Sequence, residues 1–137
     1  MRAALHQFLR FSAVGTIGFI IDAGFLQLLV SLAGLDPYIS RLFSYLIAAT
    51  LTWQLNRHFT FPKHTGVKPH HQWFYYLGAN GVGGLLNYAV YALLIFKVPF
   101  FHAHLYLGVA AGAIIGLSCN FALSKHWVFK PPSVSGI

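Results

Sequence analysis

Four long apolar stretches restrict this chain to a membrane-embedded fold. They cover about residues 9–32, 38–55, 73–96 and 105–123, and each is long enough as a helix to cross about 30 Å of hydrocarbon. Only 8% of the residues are charged, whereas a soluble domain carries about 25%. The first stretch is too long for a signal peptide, and three similar stretches follow it. We predict an all-α membrane protein with four transmembrane helices, in which residues 1–137 form a single membrane domain.

The basic residues predict the orientation of the four helices. Two of them lie near the short turns, namely Arg41 and Lys97. The other seven lie near the N-terminus, the central polar loop and the C-terminus: Arg2, Arg10, Arg57, Lys63, Lys68, Lys125 and Lys130. By the positive-inside rule, the side with more Arg and Lys faces the cytoplasm. We therefore expect both termini and the central loop to be cytoplasmic.

The two halves of the chain share one pattern. Residues 53–61 (WQLNRHFTF) align with residues 121–129 (FALSKHWVF), with basic, histidine and aromatic positions in register. In that register, the second and fourth stretches both carry small or polar residues at every fourth position, a spacing that lets membrane helices approach closely. We predict two helical-hairpin repeats, about 8–61 and 73–129, a cytoplasmic loop at about 62–72 and a short tail at 130–137. Two spans per repeat give both repeats the same, parallel orientation.

Asp22 is one of only two acidic residues in the chain, and it lies inside the first apolar stretch. It follows Arg10 by twelve residues, or about 18 Å of helix. A carboxylate at that depth is a candidate functional residue that needs a partner. Arg41, about one turn into the second stretch, is the best candidate partner. The alternative is that Asp22 only holds two helices together, and the two roles are compatible. The repeat aligns Asp22 with the neutral Asn87.

A basic residue closes each repeat, Arg57 in the first and Lys125 in the second. Arginine and neighbouring polar side chains suit a phosphate group, because the planar guanidinium donates two hydrogen bonds at once. Snorkelling to lipid headgroups is the alternative interpretation. The predicted lipid-phosphate-binding residues are Arg57, Lys125, Arg41, Asn56, His58 and His126.

Polar residues inside the apolar stretches form a candidate path across the membrane. Interhelical hydrogen bonds also explain such residues adequately. The predicted members of the path are Asp22, Asn80, Asn87 and Asn120. The sequence has no paired carboxylates, no nucleophile beside a base and no glycine-rich phosphate loop, so we expect no enzymatic activity. The histidine pairs lack an accompanying cysteine or carboxylate, so we predict no metal site and no cofactor.

The order and spacing of these motifs resemble the GtrA-like family of small four-span bacterial membrane proteins. The likeness covers about residues 8–130, and Ser124 departs from it where the family more often has Asn. The matching residues are Phe8, Leu9, Arg10, Phe11, Val14, Gly15, Gly18 and Asp22, then Arg41 and Ser44, then Asn56, Arg57, Phe59, Thr60 and Phe61, and finally Asn120, Phe121, Leu123, Lys125, Trp127 and Phe129. The resemblance implies a role in cell-surface polysaccharide synthesis at the bacterial inner membrane, through movement of polyprenyl-phosphate-linked sugars or support of a membrane glycosyltransferase.

Three functional hypotheses follow. The first is a flippase for polyprenyl phosphate or a polyprenyl-phosphate sugar. The second is a scaffold or activator of a polyprenyl-phosphate glycosyltransferase, for which the polar loop is the candidate docking surface. The third is a small multidrug-type exporter that uses Asp22. Four short helices enclose little volume, so we also expect a homo-oligomer in contact with membrane lipids, and no nucleic-acid partner.

Overall fold

The chain forms two compact units, Met1–Pro62 and Lys63–Ile137, and each is a helical hairpin. The computed structural model describes residues 1–63 and 67–130. Every regular element in those two ranges is helical, as the composition predicts.

The first hairpin consists of α1 (Arg2–Ser31), α2 (Pro37–Leu55) and a π-helical turn, the first π-turn (Asn56–Thr60). Gly34 lies in the turn after α1 and has the left-handed conformation, with φ of 65°, which glycine adopts without steric cost. Asp36 precedes α2, and its carboxylate accepts a hydrogen bond of 3.3 Å from the Ile39 backbone N–H. Such a cap satisfies a backbone donor that the first turn of a helix leaves unpaired.

Small residues and one aromatic pair hold α1 against α2. Gly18 faces the Thr52 side chain so closely that a Cβ on Gly18 would collide with the Thr52 methyl group. At one end of the hairpin, the Phe11 and Phe61 rings pack edge to face with centroids 6.2 Å apart. Both of these rings are buried, so they close the apolar interface next to the first π-turn.

The second hairpin consists of α3 (Pro69–Lys97), a short α4 (Pro99–Ala103), α5 (Leu105–Leu123) and the second π-turn (Ser124–Val128). Proline at the first position of α3 and of α4 is favourable, because that position needs no backbone N–H donor. The predicted short turn near Lys97 consists of one extended residue, Val98, followed by the one-turn helix α4.

The contact between α3 and α5 is closer than side chains larger than glycine would allow. A Cβ on Gly112 would lie 2.6 Å from the backbone oxygen of Asn87, and one on Gly116 would lie 2.8 Å from the backbone oxygen of Gly83. Close backbone approach of this kind is a common way to join helices in lipid, where the hydrophobic effect gives no drive for association. The Tyr76 and Phe129 rings close one end of this interface, with centroids 6.0 Å apart.

Three helical segments of the described chain are long and apolar enough to cross a membrane: Arg2–Ser31, Pro69–Lys97 and Leu107–Val128. The 19-residue α2 does not meet that standard, because Arg41 and several serines and threonines lower its mean hydropathy. Its membrane span stays a prediction. Large apolar side chains such as Phe19, Leu85 and Phe96 lie on the outside of these helices, as lipid contact requires.

The helices are longer than the apolar stretches from which they were predicted. The first begins at Arg2 rather than near residue 9, and α3 begins at Pro69 rather than near residue 73. The predicted loop at 62–72 was therefore wrong at its C-terminal end, where four residues are helical. Residues 64–66 of that loop and the tail after Lys130 lie outside the described residues.

Candidate functional site

An ion pair joins α1 to α2 in the half of the first hairpin nearer the turn between these helices. Arg41 donates from Nη1 to Oδ2 of Asp22 at 2.7 Å. Ser44, one turn further along α2, donates from its hydroxyl to Oδ1 of the same carboxylate, also at 2.7 Å. Both carboxylate oxygens thus have a donor, which offsets the cost of keeping a charge in an apolar segment. The pairing of Asp22 with Arg41 follows the sequence prediction, whereas the contribution of Ser44 was not predicted.

The two members of the ion pair differ in exposure. The Asp22 side chain is 13% exposed, and the Arg41 side chain is 58% exposed. A guanidinium carries five N–H donors, and within the described part of the chain only Nη1 of Arg41 has an acceptor. The pair therefore presents unused donors on the surface of the hairpin while its carboxylate stays largely covered. An anion could approach Arg41 without first displacing Asp22.

The two π-turns present the basic residues that close the hairpins. Arg57 lies over the Trp53 ring, and Lys125 lies over the Phe121 ring, each with its charged group 5.8 Å from the ring centroid. An attractive cation–π contact has this range. Wide π-helical turns are uncommon, but those that occur are frequently found at functional sites. Each π-turn thus places one cation above an aromatic ring.

The polar neighbours of these cations have different surroundings. Asn56 is 1% exposed, and its Oδ1 accepts a hydrogen bond of 2.8 Å from the Thr60 hydroxyl. This contact stabilises the first π-turn, so direct binding of a lipid phosphate by Asn56 stays a prediction that requires the contact to open. His58 and His126 are both exposed and accessible to a ligand.

Arg10 also contacts the first π-turn, although the sequence analysis did not assign it to the site. Its Nη1 donates to the backbone oxygen of Phe59 at 3.1 Å. The aligned position in the second hairpin is Tyr75, whose ring lies 5.2 Å from that of Trp127. The repeat alignment pairs position 10 with position 75 and position 59 with position 127, but it does not by itself predict either contact.

The polar-path residues of the second hairpin lie along its helix interface. Asn87 packs against Gly112 and Gly116, and Asn120 packs one turn away against Gly83. The Oδ1 of Asn120 is buried, and it has no hydrogen-bond partner among the described residues. Asn80 instead donates to the Tyr76 backbone oxygen of its own helix at 3.1 Å. Asn87 and Asn120 are thus neighbours, and a continuous path that includes Asp22 stays a prediction.

Aligned positions of the two hairpins make corresponding contacts, with one chemical difference. Asp22 binds Ser44 across the first interface, and Asn87 packs on Gly112 at the aligned positions of the second. Arg41 aligns with the apolar Val109. Among the described residues, this charged pair lies in the first hairpin, and the aligned positions of the second hairpin are neutral.

A comparison with known families matches nearly the whole chain. The family model described as GtrA/DPMS, transmembrane domain, matches residues 10–129, which include the ion pair and both π-turns. A search of curated proteins found no match. The matched domain links the chain to membrane functions that involve polyprenyl-phosphate sugars. Together with the three apolar helices, the match identifies a multi-pass membrane protein that belongs to the GtrA/DPMS transmembrane-domain family.

Proposed function

We propose that this protein moves polyprenyl phosphate, or a sugar attached to it, across the bacterial inner membrane for cell-surface polysaccharide synthesis. It would do so without catalysing a covalent step. The proposed arrangement has four spans in two parallel-orientation hairpin repeats, with both termini in the cytoplasm. The observation that carries the proposal is the ion pair between Asp22 and Arg41, whose guanidinium keeps donors on an exposed surface.

A lipid phosphate would compete with Asp22 for Arg41. A phosphate offers several acceptor oxygens to the planar guanidinium, and such charge-assisted pairs are about twice as strong as neutral hydrogen bonds. When Arg41 turns toward the phosphate, Asp22 keeps its hydrogen bond from Ser44, at 2.7 Å, so its charge is not left without a donor. The pair thereby provides two states, one with Arg41 on the carboxylate and one with Arg41 on the ligand.

The ends of the hairpins would supply the cytoplasmic phosphate contacts. Arg57 and Lys125 lie over aromatic rings there, with the exposed His58 and His126 beside them. Asn80, Asn87 and Asn120 would line the route of the headgroup, since a polar group in hydrocarbon needs hydrogen-bond partners. A homo-oligomer would supply the volume that one chain of this size lacks, with lipids around it.

A transport assay tests this proposal. The purified chain is reconstituted in proteoliposomes that carry a fluorescent polyprenyl-phosphate sugar, and a membrane-impermeant quencher reports the fraction in the outer leaflet. We expect Asp22→Asn and Arg41→Ala to slow transport by about tenfold or more, because each removes a charge-assisted contact. Lys97→Ala is the matched control, because Lys97 is the other basic residue near a predicted outer turn but lies over Phe96, outside the ion pair. Full transport by both Asp22→Asn and Arg41→Ala would refute the proposal.

Assays with the same proteoliposomes distinguish the proposed function from the two other hypotheses. A scaffold for a glycosyltransferase predicts no transport by the chain alone, together with co-purification of an enzyme. An exporter predicts efflux of a cationic dye when a proton gradient is imposed, and it would have to break the Asp22–Arg41 contact in each cycle. The helical start of α3 at Pro69 shortens the loop on which the scaffold hypothesis depends.

A further inference from the structure

The contact between Asp22 and Arg41 balances one negative charge with one positive charge. Arg41 donates to Oδ2 of Asp22, and Ser44 donates to Oδ1, each at 2.7 Å. The Asp22 side chain is only 13% exposed, so little water reaches its carboxylate. A covered carboxylate depends on its partner to offset the free energy that it loses on leaving water. If the guanidinium moves to a ligand, the negative charge of Asp22 has to be balanced in another way.

Ser44 does not replace the guanidinium. Its hydroxyl has one proton, and two acceptors lie within range, namely Oδ1 of Asp22 at 2.7 Å and the Arg41 backbone oxygen at 3.1 Å. The hydroxyl is also neutral, so it provides a hydrogen bond but no compensating charge. When a lipid phosphate binds Arg41, two anions share one cation inside an apolar segment. One added proton leaves a single anion for that cation.

Asp22 is the group in this part of the hairpin that can accept the proton. By sequence, the two turns of α1 on either side of Asp22 hold no other ionisable side chain. The first three turns of α2, the helix that packs against Asp22, hold Arg41 and two tyrosines, Tyr38 and Tyr45. Phenols stay neutral over the range of about pH 5–8, and a guanidinium stays charged. A change of protonation in these turns is therefore assigned to the carboxyl group.

We propose that binding of a lipid phosphate at Arg41 is coupled to uptake of one proton by Asp22, so that a pH gradient drives transport. The inference rests on the proposed function and adds its coupling ion. The proton comes from water and binds Oδ2, the oxygen that Arg41 leaves, while Oδ1 keeps the hydrogen bond from Ser44. Because such coupling is reciprocal, the proton also strengthens binding of the phosphate.

Both states of the site are then neutral. In the unloaded chain Arg41 pairs with the Asp22 carboxylate, and in the loaded chain Arg41 pairs with the phosphate beside a protonated Asp22. A neutral site avoids moving an unpaired charge through hydrocarbon. The ligand therefore moves with the proton, from the more acidic side of the membrane to the less acidic side.

Binding of farnesyl phosphoglucose to the full chain in phosphatidylcholine nanodiscs tests the coupling. This phosphodiester keeps one charge from pH 5 to pH 8, so the probe itself does not titrate. We expect the affinity of wild type to rise as the pH falls, by up to about tenfold per pH unit, which is the limit for one proton. Asp22→Asn should bind more tightly than wild type at pH 8, because Arg41 has lost its competing anion, and its affinity should depend less on pH.

Asp36→Asn is the matched control, because Asp36 is the other acidic residue of the chain and lies outside the ion pair. Its affinity should follow the pH dependence of wild type. The eight histidines titrate in the same range, so the result is the difference between the variants and wild type. If Asp22→Asn keeps the full pH dependence of wild type, Arg41 binds both anions at once and the coupling is refuted.

Transport in proteoliposomes separates the failure of this inference from that of the proposed function. With a gradient of one pH unit, wild type should concentrate a trace of the probe up to about tenfold in the leaflet on the less acidic side. Asp22→Asn should only equalise the two leaflets. If wild type moves the probe but a pH gradient does not concentrate it, or if a sodium gradient at equal pH does so instead, the inference fails and the proposed function stands. If wild type does not move the probe, both fail. Far-UV circular dichroism checks that the helices of each variant have formed.

Discussion

Removing Arg41 should destabilise the protein more than removing Asp22 does. In Arg41→Gln, a carboxylate that is only 13% exposed loses its cation and keeps one donor, Ser44. Removing one partner of a buried ion pair lowers the free energy of unfolding by about 3–5 kcal/mol. We expect a loss of about 3 kcal/mol here, because Asp22 keeps its hydrogen bond from Ser44. In Asp22→Asn, the guanidinium that stays behind is 58% exposed and can move to the membrane surface, so we expect about 1–2 kcal/mol.

A double-mutant cycle measures this asymmetry. The variants are unfolded by SDS titration in mixed micelles, and far-UV circular dichroism gives the free energy of unfolding. The double variant Asp22→Asn/Arg41→Gln should be more stable than Arg41→Gln alone, because no charge is left behind in the interface. Lys97→Gln serves as the control with equal loss of charge, and it should leave the unfolding curve in place. The reasoning is refuted if Asp22→Asn is the more damaging single change, or if the two single effects simply add.

Three further predictions concern the helix interfaces and the π-turns. Gly112→Ala should lower the free energy of unfolding by about 1–2 kcal/mol in the same assay, because the added Cβ collides with the Asn87 backbone oxygen. Gly84→Ala on α3 is the control. Its Cβ meets nothing within 4 Å in the described chain, so it should be neutral or slightly stabilising. Phe61→Ala and Phe129→Ala should each cost about 3–5 kcal/mol, since both rings are buried and close matching ends of their hairpins; a loss below 1 kcal/mol in either would contradict this. Thr60→Val should cost about 1 kcal/mol by removing the donor to Asn56 while keeping the side-chain shape, and Thr60→Ser, which keeps the hydroxyl, should recover most of that loss.

The spacing of charges along the helices predicted the ion pair, because helix rise leaves an axial gap of about 8–10 Å between Asp22 and Arg41, which a long arginine side chain can mostly close. It did not predict Ser44 as the second donor, although the residue lies three positions after Arg41 on the same face of α2. Nor did it assign Arg10 to the site, since the Arg10–Phe59 contact depends on how α1 packs against the end of the hairpin. Contacts between helices depend on how the helices pack, and the residue types around one position do not reveal this.

The ends of the helices were harder to predict from hydropathy than their centres. The N-terminal turns of α1 have low hydropathy, but Ala3, Ala4 and Leu5 favour a helix, so α1 continues outside the apolar stretch. Pro69 and Pro99 mark breaks in the sequence, yet each occupies the first position of a helix. The π-turns have no distinct sequence period, and only their aligned recurrence at Asn56–Thr60 and Ser124–Val128 distinguishes them.

The π-turns also indicate which features of the two hairpins are older than the differences between them. A π-helical turn takes in one more residue than an α-helical turn, so deleting a residue there would rotate everything after it by about 100° around the helix axis. Phe61 and Phe129, which follow the two turns, would then leave Phe11 and Tyr76. If the halves arose by gene duplication, the extra residue was already present in the ancestral hairpin. Asp22, Arg41 and Ser44, which together form the charged contact, then mark where the two hairpins diverged.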